Sequence, residues 1–228
     1  SETMTPKKHA LTLGIKSAEG EIIILTDADC RVGKLWVSSM VYSVINQNCI
    51  SIGFSEIGVS SNSLFEKYQY IDFLSIISAN AGSAGWGQYW SGTGQNLAFY
   101  KEDFFIINGF EPVKDRISGD DMYLVQSISK LKKGYINIDP NSFVKTIAMP
   151  TIKEFINQRV RWSSNSKLNA TENPLFFSFL SIMFIYNIII IMSFLLGGNW
   201  FFLFLFKFIL EGSVIFLGGK LFNRKIEF

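Results

Sequence analysis

Three clusters of side chains in this 228-residue chain have the types and spacing to do chemistry. Asp27-Ala28-Asp29 follows the apolar run Ile22-Ile23-Ile24-Leu25, and in extended backbone residues i and i+2 point the same way, so the two carboxylates can converge on one cation. Hard oxygen ligands select Mg²⁺ or Mn²⁺, ions usually completed by substrate phosphates. The pair could equally be two solvated acids at a strand end. Asp120-Asp121, after Ser118-Gly119, opens a helix and offers an acid that can take a proton from a nucleophilic hydroxyl. Acids in a first turn also simply satisfy free N–H groups and the helix dipole. Gln158-Arg159-Val160-Arg161-Trp162 sets an amide, a guanidinium and an indole at i, i+3 and i+4, on one helix face. Arg suits a pyrophosphate and an indole face suits a sugar ring, although Arg and Trp also meet lipid headgroups.

Other chemistries are excluded. One histidine, His9, rules out any site needing two imidazoles, and with Cys30 and Cys49 as the only cysteines no four-ligand Cys/His zinc cluster can be built. Both cysteines read as small apolar fillers in a reducing compartment. Lys and Arg number 21 against 19 Asp and Glu, a net +2, which is too balanced for a nucleic-acid partner.

The elements that must position these residues alternate. Glu21 to Thr26 suits a strand buried on both faces, Leu35 to Gln47 a helix, Ile50 to Ile57 a strand, Asn62 to Ala79 a long helix, and Ala81 to Gly94 a glycine-rich loop with Trp86, Tyr89 and Trp90. A strand at Asn96 to Tyr100, a helix from Gly119 or Asp120, strands at Tyr135 to Ile138 and Phe143 to Ile147, and an amphipathic helix from Thr151 complete the pattern. This predicts an α/β fold with a mainly parallel sheet over 1–150, then an interface helix in 151–174.

Composition changes at Pro174. Leu175 to Leu196 runs without an ionisable side chain, about the 20 residues that cross a bilayer core. Gly197-Gly198-Asn199 supplies a turn, and Trp200 to Leu217 is a second apolar span in which Lys207 and Glu211, four apart, can pair. Arg159, Arg161 and Lys167 before the hairpin, and Lys220, Arg224 and Lys225 in a basic tail at 218–228, predict a multi-pass protein of the inner (plasma) membrane with its catalytic part cytoplasmic.

Taken in order, these motifs resemble the membrane-bound family-2 glycosyltransferases, especially the processive group that includes cellulose, chitin, hyaluronan and poly-N-acetylglucosamine synthases. The likeness rests on Thr26-Asp27-Ala28-Asp29 as D-x-D, Gly92-Thr93-Gly94-Gln95-Asn96 through Tyr100-Lys101 as the acceptor-side glycine loop, Gly119-Asp120-Asp121 as the acidic pair, and Gln158 to Trp162 as Q-x-x-R-W. It spans nearly the whole part before the hairpin. The resemblance implies a GT-A fold with a Rossmann-like mixed sheet, a nucleotide-sugar donor such as a UDP-sugar, a glycan or lipid-linked acceptor, and inversion at the anomeric carbon. It implies Asp27 and Asp29 as ligands of Mg²⁺ or Mn²⁺, Asp121 as the general base with Asp120 beside it, and Gln158, Arg161 and Lys8 on the donor diphosphate. Trp162, Gly94, Gln95 and Asn96 would meet the acceptor. Thr12 stands where the family usually has Asn after Ala-Leu. The family's first strands and early nucleotide-binding Asp are absent, so residues 1–228 are expected to be the C-terminal portion of a longer chain, inactive alone.

Two readings of other classes compete. Dehalogenase-type phosphatases also place D-x-D after a buried strand, but they need Thr or Val where Arg31 stands, and they leave Gln158 to Trp162 unexplained. A non-catalytic membrane-anchored subunit would not need both acidic motifs. Within the transferase reading, non-processive transfer to a lipid-linked acceptor is the alternative to polysaccharide synthesis, since two helices cannot by themselves enclose a polymer channel.

Overall fold

The computed structural model describes residues 4–59, 63–164 and 166–224. Lys225 and the Lys167 side chain, named above as flanking cations, lie outside the described residues, as does the end of the tail. Helix α1 (Pro6–Ser17) starts at a proline in its first turn, where a missing N–H costs nothing, and sequence periodicity did not announce it. Then come β1 (Ile22–Leu25), β2 (Arg31–Val32), α2 (Trp36–Gln47), β3 (Ile50–Gly53) and β4 (Ser55–Gly58). Asn48, at φ 46°, turns α2 into β3. Helix α3 (Leu64–Gly85) is capped by the Ser63 hydroxyl, which accepts the Phe65 N–H, and runs into the first part of the expected glycine-rich loop. The order continues with β5 (Leu97–Tyr100), α4 (Lys101–Ile106), α5 (Asp120–Leu131), β6 (Gly134–Asn137) and β7 (Val144–Ile147).

The sheets are mixed rather than mainly parallel. The first has order β1-β5-β3-β6, with β5 antiparallel to both neighbours (Leu25 opposite Leu97, Ser51 opposite Ala98) and β3 parallel to β6. The second has order β2-β7-β4, with only β4 and β7 parallel. An apolar run announces a buried strand but carries no direction, so β5 could not be oriented from sequence. The single strand expected at Ile50 to Ile57 is two, breaking at Phe54. The cause is Asn96: a Cβ at Gly53 would overlap its side chain, and the Phe54 carbonyl accepts both Asn96 Nδ2 and the Val144 N–H. The chain therefore leaves one sheet there and joins the other.

Burial follows the layers. Ile23, Leu25, Ile52, Leu97 and Phe99 pack with Phe104, Leu124, Val125 and Ile128 of α4 and α5. On the opposite face Trp36, Met40 and Val44 of α2 meet Ala98 and Val144. A second core, of Phe54, Ile57, Phe73, Leu74, Ile77 and Phe143, lies under α3.

Thr151 caps α6 (Ile152–Ser163), accepting the Glu154 N–H. After the short α7 (Ser166–Glu172) come α8 (Pro174–Leu195) and α9 (Trp200–Leu221). Both are 22 residues long, with mean hydropathies of 2.4 and 2.0, long and apolar enough to cross a membrane. Gly197 (φ 68°) turns the hairpin, and Tyr186 on α8 donates to the Leu203 carbonyl on α9 at 2.9 Å. Lys207 and Glu211 pair as expected, at 2.5 Å. Helix α9 outruns the expected end at Leu217 because Gly218 lies against α3, where a Cβ would overlap the Ser78 hydroxyl.

Candidate active site

Beyond Leu25 the chain does not stay extended. The Asp27 carbonyl accepts the Cys30 N–H at 3.1 Å, closing a turn, so Asp27 and Asp29 stand on a turn and not on one side of a strand. Asp27 faces the protein, its Oδ1 3.5 Å from the Lys7 ammonium, while Asp29 is exposed with Oδ1 3.6 Å from Cys30 Sγ. Gly119, at φ 85°, feeds the chain into α5, and Asp120 is buried with Oδ2 3.4 Å from the same ammonium. Lys7 thus bridges the first acid of one motif and the first acid of the next.

Asp121 lies alongside. Its Oδ2 accepts the Gly94 N–H at 3.1 Å and its Oδ1 the Met122 N–H at 2.7 Å. A Cβ at Gly94 would stand in ordinary contact with the Lys7 nitrogen at 3.6 Å and the Asp121 Cβ at 3.7 Å, so the three residues pack directly against one another. Burial pushes the Asp121 carboxyl up to about 6, helped by the neighbouring Asp120 charge and opposed by the two N–H bonds and by Lys7. Burial pulls the Lys7 ammonium down, but Asp120, Asp27 and Asp121 together outweigh it and hold it above its ordinary value. A carboxyl near neutrality beside two unlike neighbours is the usual setting of a catalytic base.

Lys8, expected on the donor diphosphate, is elsewhere. It is fully buried, and its ammonium donates to the Arg116 carbonyl. Burial lowers its pKa. Adjacent residues on a helix point about 100° apart, so only one member of Lys7-Lys8 could face the acids, and the sequence does not say which. Asn96 is also structural, its amide donating to the Phe54 and Ser142 carbonyls, both at 2.8 Å, and accepting Trp36 Nε1–H at 3.0 Å. Both of its N–H groups are used within the fold and the residue is fully buried. Gln95 donates to Thr146 Oγ1 at 3.4 Å while its Oε1 is buried without a partner.

Helix α6 reaches the acids at its C-terminal end, where the Ser118 hydroxyl donates to the Arg161 carbonyl at 3.0 Å, two residues before Asp120. The Arg161 side chain is exposed, Gln158 is half-buried, and Trp162 is 37% exposed with its ring 6.2 Å from Phe73. Arg159, which spacing did not single out, pairs with Asp72 of α3.

The donor set fits a divalent cation in part. Asp27 and Asp29 offer hard oxygens on an accessible turn, but among the described residues no group of three or more His, Cys, Asp or Glu side chains is set to enclose an ion. An ion held there would need phosphate or water for the rest of its shell.

No curated protein matches the chain. The sequence model of glycosyl transferase family 21 matches residues 1–223, which spans α1, both acidic motifs, the glycine loop, α6 and the apolar hairpin. The motifs therefore do mark a glycosyltransferase, but in a family other than the family-2 synthases they resemble, and the chain belongs to glycosyl transferase family 21.

Proposed function

We propose that the chain catalyses a single, inverting transfer of a sugar from a nucleotide-sugar donor to the hydroxyl of a lipid acceptor at a membrane surface. The observation that carries this reading is the meeting of Gly94, Asp121, Asp120, Asp27 and Lys7, which joins the glycine loop to both acidic motifs. Asp121, held by the Gly94 N–H and raised toward neutrality, takes the acceptor proton as the hydroxyl attacks. Lys7, Arg161 and the Gln158 amide supply cationic and N–H groups for the departing diphosphate. Asp27 and Asp29 would hold Mg²⁺ or Mn²⁺, which would neutralise diphosphate charge when bound. The exposed Trp162 face suits the acceptor end.

Membrane placement is supported by more than the hairpin. On α6, Ile152, Ile156 and Val160 stand at i, i+4 and i+8 and are 65%, 53% and 61% exposed, whereas Phe155, Arg159 and Trp162 turn toward α3. A helix that exposes its aliphatic stripe next to two apolar helices suits the lipid–water interface. The family match, which lies outside the processive family-2 synthases, supports one transfer over processive synthesis. The basic flanks keep the soluble part on the cytoplasmic side of a plasma membrane.

The test is turnover in lipid nanodiscs with Mg²⁺ or Mn²⁺, a panel of nucleotide sugars and a lipid extract as acceptor. The expected result is release of nucleoside diphosphate and a lipid bearing one sugar, with Asp121→Asn lowering kcat about 10²–10⁴-fold. A ladder of products would refute single transfer. Turnover undiminished in Asp121→Asn would refute the base assignment, and no turnover of any donor by folded, inserted protein would refute the transferase reading.

A further inference from the structure

We propose that Arg159 is a positioning residue that orients the Gln158 amide toward the donor diphosphate and holds the Trp162 ring, an inference that rests on the transferase reading above. Phe155, Arg159 and Trp162, at i, i+4 and i+7, form the face of α6 that meets α3. There the Arg159 guanidinium does three things at once. Its Nη2 pairs with Asp72 Oδ2, its Nη1 donates to Gln158 Oε1 at 3.2 Å, and its Cζ lies over the Trp162 ring, 4.2 Å from the centroid, and over the Phe155 ring at 4.5 Å.

The consequence lies in the chemistry of an amide, which has an accepting end and a donating end. With Oε1 taken by the guanidinium, Gln158 presents its Nε2 hydrogens outward, and Nε2 makes no hydrogen bond among the described residues. The flipped amide would turn its oxygen to the donor phosphates and repel them. Arg159 thus decides whether Gln158 attracts or repels an anion, without touching the anion itself. Asp72 fixes the guanidinium, and the Trp162 ring, 4.2 Å from the guanidinium carbon and 6.2 Å from the Phe73 ring, remains 37% exposed. Lys could form one of these contacts but not the forked donation and the ring contacts together.

A double-mutant cycle tests this in nanodiscs containing the whole chain, with Mg²⁺ and the donor that the wild type turns over. Arg159→Met is expected to raise donor KM about tenfold and change kcat less. Gln158→Ala should raise donor KM to a similar extent, and adding Arg159→Met to it should produce little further rise, because residues acting through one contact are non-additive. Arg159→Lys should not restore the wild-type KM. Asp72→Asn, which keeps the shape of the side chain, should shift donor KM in the same direction if Arg159→Met proves too unstable to assay. Independent, multiplicative effects of the two substitutions, or donor KM unchanged in both Arg159→Met and Asp72→Asn, would overturn the proposal. Arg161→Ala separates the two levels. If it raises donor KM while Arg159→Met does not, positioning fails and the transferase reading stands; if it too leaves donor KM unchanged, the assignment of this helix to the donor fails.

Discussion

Asp121 has a raised pKa for a reason that also sets how the protein should respond to pH. Its carboxyl, ordinarily near 3.8, sits at about 6 through burial and the Asp120 charge. In its proposed role as base it must be ionised, so kcat/KM should rise with pH through an acid limb near 6 and level off above it. The same shift has the opposite sign for stability. The folded state binds this proton more tightly than the unfolded chain does, so the contribution of Asp121 to stability is present below the ordinary carboxyl range and is lost as pH rises through about 6. Lys7 opposes the shift, holding Asp121 lower than burial and Asp120 alone would place it. Lys7→Met should therefore move the acid limb of kcat/KM to higher pH as well as weakening the donor. A pH–rate profile of the two proteins checks this, and an unmoved or lowered limb in Lys7→Met would mean that Asp121 is not the titrating base.

At the scale of elements, the position that decides most is Asn96, which the motif resemblance assigns to the acceptor and the structure assigns to the sheets. It links β3, α2 and the turn before β7 through three buried hydrogen bonds. Asn96→Ala leaves the Ser142 carbonyl and the Trp36 N–H buried without their partners and the Phe54 carbonyl with the Val144 N–H alone, and should cost about 2–4 kcal/mol, at roughly 1–3 per orphaned group with partial relaxation. Thermal unfolding should show this loss, with acceptor KM unchanged in whatever protein stays folded. A shifted acceptor KM at unchanged stability would restore Asn96 to the acceptor site. The case shows what was legible in the sequence. Apolar runs and helix periods located β1, α2, α5 and the hairpin, because burial periodicity is a local property. The motifs pointed to Asp27, Asp120 and Asp121, which the structure brings together around Lys7, because those chemistries are tied to residue type. Strand direction, the break at Phe54, the choice between Lys7 and Lys8, and the engagement of Arg159 with Asp72 all depend on partners far along the chain. Spacing within one segment says nothing of them.

At the scale of the whole molecule, the hairpin is not a loose tether. Phe222, just past α9, is fully buried in the core of the second sheet, stacked 4.3 Å from Phe54 and edge-on to Phe143 at 6.2 Å. Arg224 follows, its Nε 2.7 Å from Glu56 on β4 and its guanidinium 4.9 Å over Phe143. At the start of the hairpin, Trp90 of the glycine loop stacks on Phe176 of α8 at 5.1 Å and meets Phe179 at a tilt at 5.0 Å. The loop that holds Asp121 through Gly94 is thus braced on one apolar helix while β4 is braced on the other, which fixes the acids at a set height relative to the hairpin. A fixed height suits an acceptor that stays in the bilayer and brings its hydroxyl to one level. Phe222→Ala removes the anchor and should cost about 3–5 kcal/mol of packing. The loss should be local, because β1, β5 and β3 belong to a separate core. Hydrogen exchange in nanodiscs should then speed at least tenfold in the last turn of α9 and in β4 while β1 and β5 keep their protection. Transfer to the proposed lipid acceptor should fall more than nucleotide-sugar hydrolysis by water. Equal loss of both activities, or exchange rising evenly across both sheets, would mean that Phe222 supports the fold at large and does not set the height of the site.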